Sequence, residues 1–234
     1  MTLSGEIINL SALPPATKEA MFALMTRHYD NVSREKFARD LSEKDGVLLF
    51  QDEEGQLGGF TTFLVMNTRC QGGPCRVLYS GDTIIEKQHW GQMILFRTFA
   101  ALLHRLLEEG EEPVYWFLLS KGIRTYLMLP LYFKRFFPAW QAHGEDPEVR
   151  ILHQLARDRF GNLFLPEQGV VRFDPPAEYL KAELAEIPAE KLTNKHVQFF
   201  LQRNPGYVRG DELACITRVA WDNFTGPGLR FMRS

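Results

Sequence analysis

Apolar and polar positions change period several times along the chain, and the changes mark its elements. Residues 7–10, Ile-Ile-Asn-Leu, give a short strand pattern that Pro14 and Pro15 end. Ala20, Met21, Leu24 and Met25 then recur at the spacing of one helix face, with Thr17 as the expected cap. Ser33 opens a second helix through Phe37 and Leu41, which ends near Asp45 and Gly46. Residues 47–50 read as a strand, 51–56 as a polar turn, and 57–68, rich in Thr, Phe and Val, as the returning strand of a hairpin. A third strand spans 77–85. A polar elbow at 86–91 separates it from a helix beginning near Gln92, whose apolar positions include Met93, Phe96, Phe99, Leu103 and Leu106. Residues 114–119, Val-Tyr-Trp-Phe-Leu-Leu, are apolar without alternation, the pattern of a central strand covered on both faces. A helix from about Ile123 then bends or ends at Pro130.

Beyond residue 140 the pattern predicts helices over 148–160, 177–185 and 191–203, a short strand at 169–173 and a closing strand at 212–220. No internal repeat or low-complexity linker interrupts the chain. The expected organisation is a core over 1–140 and an extension over 141–234 that completes the sheet and covers or shapes a substrate pocket.

Composition narrows the partners. The chain has 234 residues, 45% of them hydrophobic, so a substantial core can form. A net charge of -2 gives no sequence-independent attraction to nucleic acid, and none is expected as a partner. No apolar run is long enough to span a bilayer, so no membrane partner is expected, and the first residues do not look like a secretory signal. Cys70, Cys75 and Cys215 are read as reduced thiols of a cytoplasmic protein, although Cys70 and Cys75 bracket a Gln-Gly-Gly-Pro turn across which they could meet. His143, His153 and His196 lack the spacing of metal ligands, and no metal is expected.

Candidate chemistry gathers at the elbow. A strand running straight into a helix leaves unpaired N–H groups at the helix mouth, and these bind anionic groups without a basic side chain. Ser120, Lys121 and Arg124 follow the central strand, where ligands collect in open sheets. Ser80 is not in a Gly-x-Ser-x-Gly elbow, so a hydrolase triad is not indicated.

The order strand, two helices, three strands, helix, strand, helix resembles that of the GCN5-related N-acetyltransferases. Gln88-His89-Trp90-Gly91-Gln92-Met93 is similar to the family's Gln/Arg-x-x-Gly-x-Gly/Ala loop, with Met93 standing where Gly or Ala is usual. Residues 129–137, Leu-Pro-Leu-Tyr-Phe-Lys-Arg-Phe-Phe, resemble the family's fourth helix. The resemblance implies an α/β fold with a mixed, mostly antiparallel sheet and helices on both faces. It implies acetyl-coenzyme A or another acyl-coenzyme A as co-substrate, with its diphosphate on the amides of the Gln88, His89, Trp90, Gly91, Gln92 and Met93 loop. Ile84 and Ile85 would offer backbone groups to the pantetheine arm, Ser120 and Arg124 are expected among the cofactor-binding residues, and Lys134 and Arg135 could meet the adenosine phosphate. Tyr132 would protonate the departing thiolate. Asp82 and Glu86 flank the strand end as the nearest carboxylates, and Asp82, which alternation from Val77 sets near the centre of the sheet, is the better candidate to take the proton of an amine acceptor, a small molecule or a protein, directly or through a water chain; an Asp satisfied by local backbone N–H groups is the alternative. A homodimer is compatible with this reading. So are a fold kept without chemistry, as a ligand-binding or interaction module, and acyl transfer from a carrier protein, as in N-acyl amino acid or homoserine lactone synthases.

Overall fold

The computed structural model describes residues 2–141, 146–176 and 178–233; His143 and Ala177 lie outside them. The chain runs β1 (Ser4–Asn9), α1 (Pro15–His28), β2 (Tyr29–Asp30), α2 (Arg34–Ser42), β3 (Gly46–Gln51), β4 (Leu57–Cys70), β5 (Gly73–Ile85), α3 (Ile94–Glu108) and β6 (Val114–Ser120). It continues through α4 (Ile123–Tyr126), α5 (Met128–Tyr132), α6 (Pro147–Phe160), β7 (Phe164–Leu165), β8 (Val170–Val171), β9 (Tyr179–Leu180), α7 (Ala182–Ala185), α8 (Lys195–Arg203), β10 (Glu212–Val219) and α9 (Gly226–Met232). Among the described residues one sheet has the order β1-β3-β4-β5-β6-β10-β8-β7, and a separate pair joins β2 to β9. Only the β5–β6 pairing in the large sheet is parallel. Its crossover is α3, as a parallel connection requires.

Alternation along the strands sorts side chains between layers. On one face Leu48, Phe50, Leu78, Trp116, Leu118 and Cys215 pack with Phe99, Leu102 and Leu106 of α3. On the other, Val77, Tyr79, Tyr115, Phe117 and Ile216 pack against Ile151, Leu152 and Leu155 of α6, while Val47, Leu49 and Phe60 meet Met21, Leu24, Phe37 and Leu41 of α1 and α2. The apolar run of β6 is thus covered on both sides.

Several local expectations change. α1 starts at Pro15 without a side-chain cap, so Thr17 lies inside the helix; proline at the first helical position already has the required φ. Ser33 does cap α2, its Oγ accepting from the Lys36 amide at 3.3 Å. α3 begins at Ile94 rather than Gln92, because a short 3-10 turn over Lys87–His89 and a left-handed Gly91 (φ +89°) occupy the elbow. The helix expected over 177–185 is only the single turn of α7, since Tyr179 and Leu180 pair instead with Asp30 and Tyr29. α8 starts at Lys195, where Asn194 Oδ1 accepts from the His196 amide at 2.8 Å. Cys70 and Cys75 are not reduced thiols: the turn from β4 to β5 sets their Cα atoms 5.7 Å apart and they form a disulfide. Cys215 is free and buried.

Candidate active site at the parting of two strands

β5 and β6 run side by side from Arg76 opposite Val114 to Ser80 opposite Leu118, and there the pairing stops. The cause lies on the other edge of β5. Between the pairs Phe63–Ser80 and Thr61–Thr83, Thr62 faces both Gly81 and Asp82, a bulge of one extra residue that bends β5 away from its parallel neighbour. Glycine is needed at 81 because a Cβ there would run into Thr62 Oγ1 and lie 3.0 Å from Lys44 Cε. Past the bulge β5 continues to Ile85 with one edge unpaired, and a gap opens between the strands.

On the α3 side the gap is a cleft of about 360 Å³, lined by Ile84, Ile85, Trp90, Gln92, Phe96 and Arg124 among others. It reaches the first turn of α3, whose N–H groups have no intrahelical acceptors, and Met93 at the cap position offers them no side-chain hydrogen bond. Leu95 and Phe96 of that turn line the cleft, as do the cations Arg124 and Lys191. This mouth fits a diphosphate: an uncapped helix N-terminus, a left-handed glycine before it and two basic side chains nearby. The Trp90 indole donates to the Ile85 carbonyl at 2.8 Å, and the Arg124 guanidinium stacks 3.9 Å over the indole ring while donating to the Leu184 carbonyl at 2.7 Å. The carbonyl at the end of β5 is therefore already bonded within the chain.

A second chamber, about 220 Å³, lies across the gap toward α2 and α6, and Asp82 lines it. Tyr29, Thr83, Lys121 and Thr125 line both spaces, so the two communicate at the point where the strands part. Burial pushes the Asp82 carboxyl up to about 6 against the pull of Lys121, whose Nζ is 3.8 Å away. Glu212 is likewise raised by burial, to about 7. Glu178 would also be raised by burial, but Lys121 and Lys36 outweigh this and hold it at about 2. Burial lifts the Tyr29 phenol well above its ordinary range, so it keeps its proton.

The remaining expected site residues divide. His89, Gly91 and Gln92 line the cleft with Trp90, but His89 is turned inward and buried, its ring nitrogens 3.2 Å from the side-chain amides of Gln88 and Gln92. Gln88 and Met93 are outside the lining; Met93 is exposed beside Arg97 on another face. Ser120 is fully buried with its Oγ 3.8 Å from Cys215 Sγ, because the residue is paired to Leu213 of β10 and points into the core. Lys134 and Arg135 lie away from the cleft, against Asp222 and Asn223. Tyr132 is not brought to the cleft either. Its ring packs 4.4 Å from that of Phe96 and 5.7 Å from that of Phe231, and its buried hydroxyl has no hydrogen-bond partner among the described residues. It borders a separate cavity of about 20 Å³, with Phe96 and Met128 as the walls shared with the cleft.

Residues the sequence did not single out complete the site. Tyr29 reads there as a helix end, Glu178 as part of the helix expected over 177–185, and Glu212 as the start of the closing strand. The extension contributes directly, with Leu180, Leu184 and Lys191 on the cleft and Phe173, Glu178 and Glu212 on the chamber. Glu86 does not face either space. It is held by Arg27 at 2.8 Å and His28 at 3.3 Å, tying the end of α1 to the elbow.

The sequence matches no protein-family model and no curated protein. Among solved structures it is similar to a GNAT-family N-acetyltransferase from Escherichia coli in complex with coenzyme A, at 21% identity over 52% of this chain and 65% of that one, TM-score 0.39. It is similar also to a probable N-acyltransferase from Enterococcus faecalis (14% identity, 57% of this chain and 33% of that one, TM-score 0.43). A third is glucosamine-6-phosphate N-acetyltransferase from Arabidopsis thaliana (12%, 50% and 82%, TM-score 0.37). At 65% and 33%, the chain spans less than two thirds of the first two proteins. The element order and strand pairing agree with the fold expected from the resemblance to the GCN5-related N-acetyltransferases, a mixed, mostly antiparallel sheet with helices on both faces.

Proposed function

We propose that the protein is an acyl-coenzyme A-dependent N-acyltransferase, with the thioester in the larger cleft and an amine acceptor in the chamber beyond Asp82. The observation that carries this reading is the junction: an anion-binding helix mouth opens into a cleft that meets a carboxylate-bearing chamber where β5 and β6 part. The amine attacks the thioester carbonyl as its proton passes to Asp82, and the departing thiolate takes a proton from Tyr29. Tyr29, not Tyr132, is assigned as the donor because it lines both spaces. Calorimetry with acetyl-coenzyme A and coenzyme A tests the reading, followed by turnover across a panel of amines; binding of neither would end it. The Trp90–Ile85 bond across the mouth favours, as a second reading, a module that binds without chemistry. Binding with no turnover on any amine would select that one.

Two substitutions bear on these assignments. Gly91→Val is expected to raise the coenzyme A dissociation constant roughly tenfold, since a left-handed β-branched residue costs about 1–2 kcal/mol in backbone strain. A Cβ at position 91 meets nothing within 4 Å, so the effect comes from the backbone and not from a clash. Tyr29→Phe should lower kcat by about 100-fold with little change in coenzyme A affinity. Tyr132→Phe should leave kcat unchanged and hold or raise the melting temperature, because it removes a buried hydroxyl without a partner. A loss of kcat in Tyr132→Phe with none in Tyr29→Phe would return the donor role to Tyr132.

A further inference from the structure

Lys121 follows the last residue of β6, at the place where β5 and β6 separate, and its side chain is only 11% exposed. Its Nζ lies 2.9 Å from Glu178, 3.5 Å from Glu212 and 3.8 Å from Asp82, carboxylates from the segment before β9, from β10 and from β5. It also stands 5.2 Å over the Tyr29 ring. Burial alone would lower the pKa of such an ammonium, but Glu212, Glu178 and Asp82 outweigh burial and raise it, so Lys121 is charged.

The other charges near Asp82 are already matched. Asp40 of α2 is held by Lys44 at 2.6 Å. Arg159 of α6 is paired with Glu43 at 3.4 Å, and Lys36 with Glu178 at 2.8 Å. Tyr29 of β2 and Tyr79 of β5 keep their protons, because burial raises both phenols. Among the described residues Asp82 and Glu212 are left with one ion-pair cation between them, Lys121.

Resting on the transferase reading above, we propose that Lys121 is the positioning residue of the reaction, a single ammonium between cleft and chamber that seats Asp82 on the chamber wall by joining it to two carboxylates of the C-terminal extension. The extension then sets the base as well as the walls. An ammonium within 4–6 Å lowers a carboxylate by about 1–3 pKa units, and a like charge raises it. Removing Lys121 and removing Glu178 therefore have opposite effects on Asp82, which a role in packing alone would not produce.

The test is a titration that does not depend on turnover. The Asp82 side-chain carboxyl, assigned by its loss in Asp82→Asn, is followed by carbon-13 NMR in protein labelled at aspartate. Relative to the wild type, the midpoint should rise by about 1 unit or more in Lys121→Met, return toward its starting value in Lys121→Arg, and fall in Glu178→Gln. Where Lys121→Met does not fold, Glu178→Gln decides, since it leaves the ammonium in place. The acid limb of kcat/KM against pH should move with each midpoint. An unmoved midpoint in Glu178→Gln, or a limb that stays put while the midpoint moves, overturns the role of Lys121. Midpoints that move as expected in a protein that transfers no acyl group would overturn the transferase reading instead.

Discussion

Asp82→Asn should abolish most acyl transfer, lowering kcat/KM by about 10²–10⁴-fold, the range typical of a lost general base, while coenzyme A affinity stays within about twofold. The substitution is nearly isosteric, and Asp82 lines the chamber and not the cleft, so the thioester site is undisturbed. An amine acceptor is protonated near neutral pH, and its nitrogen cannot attack until that proton has somewhere to go. A carboxylate raised by burial to about 6 is a better acceptor than an ordinary one and is still ionised at pH 7. The sign follows directly. The base works in its charged form, so the rate should fall as pH drops through about 6 and level off above it. In Asp82→Asn that limb should vanish along with most of the rate. Stopped assays over a pH series, with calorimetry on the same samples, separate the two effects; an acid limb that persists in the variant would assign it to another group, with Glu212, raised to about 7 and on the same ammonium, the first to examine.

How much of this was legible before folding depends on the range of the interaction. The strands at 47–50, 77–85 and 114–119 follow from local periodicity, because alternation reports a face without needing to know what covers it. Gly91 and the end of β5 were likewise marked by an abrupt change from strand to elbow. The charged partners of Asp82 were not. Glu178 reads as part of an expected helix and Glu212 as the start of an expected strand, and only the pairing of β10 with β6 brings Glu212 to Lys121. Ser120 and Tyr132 lie off the cleft for the complementary reason. Each stands next to residues that do line the cleft, but the pleat of β6 points Ser120 into the core and the turn of α5 packs Tyr132 behind Phe96. Position in the chain named the right segments, Lys121 among them; side-chain direction, which tertiary packing decides, sets Lys121 and Tyr29, and not Ser120 or Tyr132, on the walls shared by cleft and chamber.

The largest loss of stability should come from Trp116→Ala. Trp116 is among the largest fully buried side chains, packed 4.8 Å from Phe99 of α3 and 5.8 Å from Phe133. Truncating a buried tryptophan costs about 3–5 kcal/mol, a large share of the roughly 5–15 kcal/mol that holds a typical domain together. Chemical denaturation should show a lower midpoint with an unchanged slope. The position also matters for the site. Trp116 is paired with Leu78, and its indole N–H donates to Ser80 Oγ at 2.9 Å, on the last residue of β5 still paired to β6. That bond clamps the parallel ladder just before the strands part. Trp116→Phe keeps an aromatic ring in the layer but leaves the buried Ser80 hydroxyl without this donor, a loss of about 1 kcal/mol. If the clamp fixes where the gap begins, Trp116→Phe should weaken coenzyme A binding by more than its small loss of stability explains. A control in the same core layer but away from the parting point, Leu106→Ala in α3, should be destabilised by about 2–5 kcal/mol and yet bind coenzyme A normally while folded. Equal affinities in Trp116→Phe and Leu106→Ala would show that the gap is set by the Gly81 bulge alone.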